Sequence, residues 1–78
     1  MWYKTRNFSI EIKFSLNEAD EIKDALLKLG AKRVFTDTET HKANGNRVLD
    51  CCVKYLEDLD DEIMTYLSNH DKVHFYRF

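Results

Sequence analysis

Five of the six residues from Glu57 to Glu62 are acidic: Glu57, Asp58, Asp60, Asp61 and Glu62, interrupted only by Leu59. Carboxylates at this density serve one of two chemistries. At a helix start they accept hydrogen bonds from free backbone N–H groups and complement the positive end of the dipole. On an exposed surface they engage a partner rich in arginine or lysine, imitating the charge spacing of phosphates. Capping needs only two of them, so the surplus reads as a protein-binding surface. A second set, Glu11, Lys13, Glu39 and Asp50, combines three carboxylates with one ammonium group. Gathered on one face, these four would suit a divalent cation or a phosphate ligand, and they carry the alternative reading of a dimeric, metal- or phosphate-binding enzyme.

Other reactive side chains add little. His41, His70 and His74 lack the spacing of metal ligands, and His70 and His74 straddle a helix end and a strand. Cys51 and Cys52 are adjacent, so on a strand they point to opposite faces and a disulfide between them would strain the backbone. Both read as reduced thiols, with Cys51 in the core. No catalytic residue, metal-ligand set or cofactor motif is identified.

The elements that must position these groups follow from periodicity. Asn7 to Leu16 alternates without a break, placing Phe8, Ile10, Ile12, Phe14 and Leu16 inward and Ser9, Glu11, Lys13 and Ser15 outward. A helix follows, capped by Asn17 or by a Ser15–Glu18 capping box, with Ala19, Ile22, Ala25, Leu26 and Leu29 on its apolar stripe. Gly30 stands at the left-handed position that ends such helices. Ala31 to Lys42 and Asn46 to Tyr55 form a hairpin around a two-residue Asn44-Gly45 turn of type I′. Counting outward places Glu39 opposite Asp50, Thr38 opposite Cys51 and Phe35 opposite Lys54. Asp58 caps a second helix over Leu59 to Asn69, and Lys72 to Phe78 forms the last strand, with His74, Tyr76 and Phe78 outward.

This order, β-α-β-β-α-β over the single domain 1–78, predicts an α+β, ferredoxin-like split sandwich. Its antiparallel four-stranded sheet has the order 4-1-3-2, with both helices on one face. The free face then carries Glu11, Lys13, Glu39 and Asp50. Its central strands present Ser9, Glu11, Lys13, Asp50 and Cys52 where a base-stacking platform needs aromatic rings. The net charge of −2 and the lack of a basic stripe argue against duplex binding. Direct contact with nucleic acid is therefore not expected. No apolar run reaches the ~20 residues of a membrane span, and the start Met1-Trp2-Tyr3-Lys4 has no leader-like apolar stretch, so a cytoplasmic location is expected. Trp2 and Tyr3, joined by Tyr76 and Phe78 if the end strands meet, would make an aromatic patch for a partner or a second copy.

The segment Ile10-Glu11-Ile12-Lys13-Phe14, with the helix ending Leu27-Lys28-Leu29-Gly30-Ala31-Lys32, resembles the opening of a CYTH (triphosphate tunnel) domain. That family starts with an E-x-E-x-K strand, and the resemblance implies a metal role for Glu11 and a phosphate role for Lys13. Ser9 occupies the place of the first acid, and the likeness covers the first half of the chain. Taken together, the residues predict a small acidic, non-enzymatic binding protein. It would act as an inhibitor or regulator, of the kind phages and mobile elements direct at host nucleases or defence complexes. It would occupy a partner protein through Glu57, Asp58, Asp60, Asp61, Glu62, Trp2, Tyr3 and Tyr76.

Overall fold

The alternating pattern does produce the first strand, but it starts and stops four residues earlier than the apolar run. A computed structural model of the chain describes residues 2–75. Its elements are β1 (Tyr3–Ile12), α1 (Asn17–Leu29), β2 (Arg33–His41), β3 (Arg47–Leu56), α2 (Asp60–Asn69) and β4 (Val73–Phe75), with one 3₁₀ turn, Glu57–Leu59, ahead of α2. Tyr76 and Phe78, expected on the last strand, lie outside the described residues. The fold is α+β. Every strand pair is antiparallel and the sheet order is β2-β3-β1-β4, which is 4-1-3-2 read from the other edge.

Phe8, Ile10 and Ile12 of β1 and Leu49, Cys51, Val53 and Tyr55 of β3 are buried in one cluster. Ala19, Ile22 and Leu26 of α1 and Ile63 and Leu67 of α2 join the same cluster. Both helices therefore cover one face of the sheet, and the alternate residues Thr5, Asn7, Ser9, Glu11, Val48, Asp50, Cys52 and Lys54 belong to the other.

The end of β1 is set by the helix that follows. Glu18 Oε2 accepts the backbone N–H groups of Phe14 (2.7 Å) and Ser15 (3.0 Å), and Ser15 Oγ accepts that of Asn17 (3.2 Å). This is the Glu18 half of the capping box, with Ser15 Oγ turned to Asn17 N–H while the Glu18 N–H goes to the Ser15 carbonyl, and it replaces the Asn17 cap. The chain turns there, so Phe14 and Leu16 leave the sheet and are 89 % and 48 % exposed, not core residues. At the other end of α1, Gly30 has φ 113°, and the N–H groups of Gly30 and Ala31 reach the carbonyls of Leu27 and Leu26. That closes the helix as the sequence predicts.

The hairpin turn is real but one residue longer than expected. Lys42 N–H donates to Asn46 O (2.8 Å) and Gly45 N–H to Lys42 O (3.0 Å), leaving the three-residue loop Ala43-Asn44-Gly45. A type I′ turn needs positive φ at both central residues. Gly45 has it (φ 88°), and no non-glycine residue among those described does. The extra loop residue shifts the register by one, so Glu39 faces Leu49 and Thr38 faces Asp50. A bulge between Thr36 and Thr38 shifts it again, which returns Phe35, opposite Cys52, to the open face.

Candidate partner-binding site

The expected acidic surface divides into one buttress and four exposed groups. β1 carries Lys4 and Arg6 on the same face as Phe8, beyond the core and beside the start of α2. Arg6 Nε donates to Tyr55 Oη (3.2 Å), and Arg6 Nη2 donates to Asp60 Oδ1 (3.4 Å). The Tyr55 hydroxyl donates to the same Asp60 oxygen, and Lys4 Nζ lies 3.5 Å from Asp60 Oδ2. The Tyr55 hydrogen bond, aided by Lys4 and Arg6, holds the Asp60 carboxyl below its ordinary range. Burial pushes the Tyr55 hydroxyl up, and its bond to Asp60 adds to that shift. Asp60 is thus committed within the chain, fastening α2 to β1.

Glu57, Asp58, Asp61 and Glu62 are exposed. Glu57 and Asp58 line a cleft of about 300 Å³ with Trp2 and Leu56. The Glu57 N–H donates to Trp2 O (2.9 Å), which fixes the two segments side by side while the indole stays 78 % exposed. Asp61 and Glu62 border a shallower hollow of about 420 Å³ with Leu29, Thr65 and Tyr66. Asp58 makes no side-chain cap bond to α2, which the 3₁₀ turn precedes. Tyr3 is not among the residues lining the Trp2 cleft: its ring centre is 5.0 Å from Lys32 Nζ and 5.1 Å from Lys54 Nζ.

The second predicted set comes together only in part. Glu11 lies on the open face, where its two oxygens accept Lys42 Nζ and Asn46 Nδ2, each at 2.7 Å, with His74 Nε2 3.8 Å away. The hydrogen bond from Lys42, then that from Asn46, lowers its pKa. Asp50 accepts Thr38 Oγ1 at 2.6 Å. Glu39 is on the helix-side face, opposite Leu49, where Arg47 Nη1 donates to it at 3.2 Å. The predicted Glu39–Asp50 pair is corrected by the loop length and the bulge. Lys13 lies past the end of β1 in a groove of about 410 Å³ that Glu11 also lines, with Phe14, Glu18, Asp71, Lys72 and His74. Among the described residues no three His, Cys, Asp or Glu side chains are grouped to hold a metal ion.

The Lys4–Arg6–Tyr55–Asp60 arrangement is absent from the sequence reading, although one signal pointed to it. Lys4 and Arg6 continue the parity of Phe8, so cations fall on the helix side and require a carboxylate there.

Glu18 supplies a pH-dependent element beside this frame. The bond from Lys72, followed by the Phe14 and Ser15 N–H groups, lowers its carboxyl from 4.5 to about 2. A carboxyl lowered by folding stabilises fully above its unfolded value, and that contribution disappears as the pH falls from about 4.5 toward about 2. Glu18→Gln is therefore expected to melt below the parent at pH 7, with the gap closing by pH 2. Thermal melts by circular dichroism across that range check it, and equal melting temperatures at pH 7 refute it.

No family model, curated protein or solved structure matches the chain. No helix among the described residues is long and apolar enough to cross a membrane.

Proposed function

We propose that this chain is a ferredoxin-like, non-enzymatic binding module that occupies a basic protein surface and thereby inhibits or regulates its partner. The observation that carries this reading is the cleft in which an indole, 78 % exposed, stands beside Glu57 and Asp58. An arginine or lysine of the partner would lie over the indole face while its charge meets the carboxylates, combining cation–π attraction with ion pairing. Asp61 and Glu62 extend the acidic surface around the start of α2. Tryptophan is among the residue types enriched at interface hot spots, and an anchor beside charged groups gives both affinity and orientation.

Trp2 is the only tryptophan, so its emission reports directly on the cleft. Titration with an arginine-rich peptide is expected to shift that emission to the blue, and Glu57→Lys with Asp58→Lys to abolish the shift. In capture from native cells, a genuine partner is retained by the parent and lost with both Trp2→Ala and the double lysine variant. Retention of the same protein by both variants would refute the assignment. Asp60 is left intact because its replacement would loosen α2 itself.

A further inference from the structure

The open face of the sheet has a second, opposite character at the end where β2 begins. Arg33 stands directly across from Lys54, which stands across from Thr5, so three strands contribute one row. Lys32 adjoins that row, with its Nζ 3.4 Å from the Tyr3 hydroxyl. Lys4, Arg6, Lys42, Arg47 and Lys72 each have a carboxylate oxygen within 4.0 Å. Lys32, Arg33 and Lys54 have none among the described residues, and neither do Lys13, Lys23 and Lys28, but of these six only Lys32, Arg33 and Lys54 gather at one row of the sheet. Like charges directly opposed across a ladder are destabilising. An acidic chain that leaves three cations together, two of them opposed, has the charge arrangement of an anion site.

The next row along the open face is Phe35, Cys52 and Asn7. Tyr3 already has two ammonium groups near its ring, whereas Phe35 is 44 % exposed with no ring or cation against it among the described residues. Rows on one face are about 7 Å apart, so a planar group stacked on Phe35 has its neighbouring substituents within reach of Arg33 and Lys54. Asn7 and Thr5 offer polar groups alongside. An acidic peptide would use the cations but not the ring. A nucleotide strand uses both, with phosphates on the cations and a base on the ring.

We infer that the Lys32–Arg33–Lys54 row with Phe35 binds a short single-stranded nucleic acid, on a surface separate from the Trp2 cleft. This overturns the expectation of no direct nucleic-acid contact, which rested on the net charge and on the central strands; the ring and two of the cations stand instead at the β2 edge of the sheet.

The test is fluorescence anisotropy of a labelled short oligothymidylate with the full chain over a range of salt. Binding is expected to weaken with a log–log slope of about −2, from three phosphate contacts at about 0.7 each. Phe35→Ala should weaken it about tenfold or more, and Lys32→Glu with Lys54→Glu should remove it. Trp2→Ala should leave it unchanged, which separates this site from the proposed protein cleft. Absence of binding at low salt overturns the inference. So does binding that Phe35→Ala leaves intact and that polyglutamate of equal charge displaces, an outcome that assigns the row to an acidic protein.

Discussion

Phe8→Ala is expected to remove about 3–5 kcal/mol of stability, whereas Phe14→Ala changes it by no more than about 0.5 kcal/mol. The two phenylalanines belong to the same alternating run and look equivalent in sequence. Phe8 is fully buried in β1, with Cys51 opposite it on β3 and Phe75 opposite it on β4. Truncation there opens a cavity between two helices and a sheet that cannot collapse without moving several elements. Phe14 is 89 % exposed, past the end of β1, so its loss leaves no void. For a domain of this size the total stability is about 4–12 kcal/mol, and the Phe8 variant consumes a large share of it. Urea denaturation followed by circular dichroism gives both values. Equal losses at the two positions would mean that β1 continues through Phe14, contradicting the capping box that ends it.

That pair also shows which parts of the fold are legible without coordinates. Parity along a strand does not depend on where the strand begins. The inward placement of Phe8, Ile10 and Ile12 and the outward placement of Glu11 therefore follow from alternation alone. Strand ends do not follow from it. Phe14 and Leu16 keep the pattern, but Glu18 takes the N–H groups of Phe14 and Ser15 and bends the chain away. Asn44-Gly45 announces a turn without fixing its length, because the length depends on whether Asn44 adopts positive φ. One added loop residue reversed the face of Glu39, and one bulge restored that of Phe35. The acidic run was legible as charge, but its division was not. Asp60 is engaged by Tyr55 and by Arg6, the latter 54 positions away; the parity of Arg6 with Phe8 placed a cation on the helix side but did not say which carboxylate meets it.

Gly30→Ala is expected to cost about 2–3 kcal/mol, against about 1–2 kcal/mol for Gly45→Ala. Both glycines have positive φ, 113° and 88°, so alanine is strained at either site. Their surroundings differ. A Cβ at Gly45 would meet nothing within 4 Å, whereas one at Gly30 would lie 2.9 Å from Leu59 Cδ1. Leu59 packs against the core cluster, so its side chain yields only by disturbing that packing. The excess at Gly30 should therefore fall when Leu59→Ala is introduced as well, a coupling of about 1 kcal/mol in a double-mutant cycle. Equal costs at the two glycines, or strict additivity with Leu59→Ala, would contradict the contact. Its consequence extends to the Trp2 cleft. Leu59 closes the turn that begins with Glu57, and Glu57 holds Trp2 through its backbone. Displacing Leu59 should therefore change Trp2 emission in the folded Gly30→Ala protein, while Gly45→Ala leaves that emission unchanged.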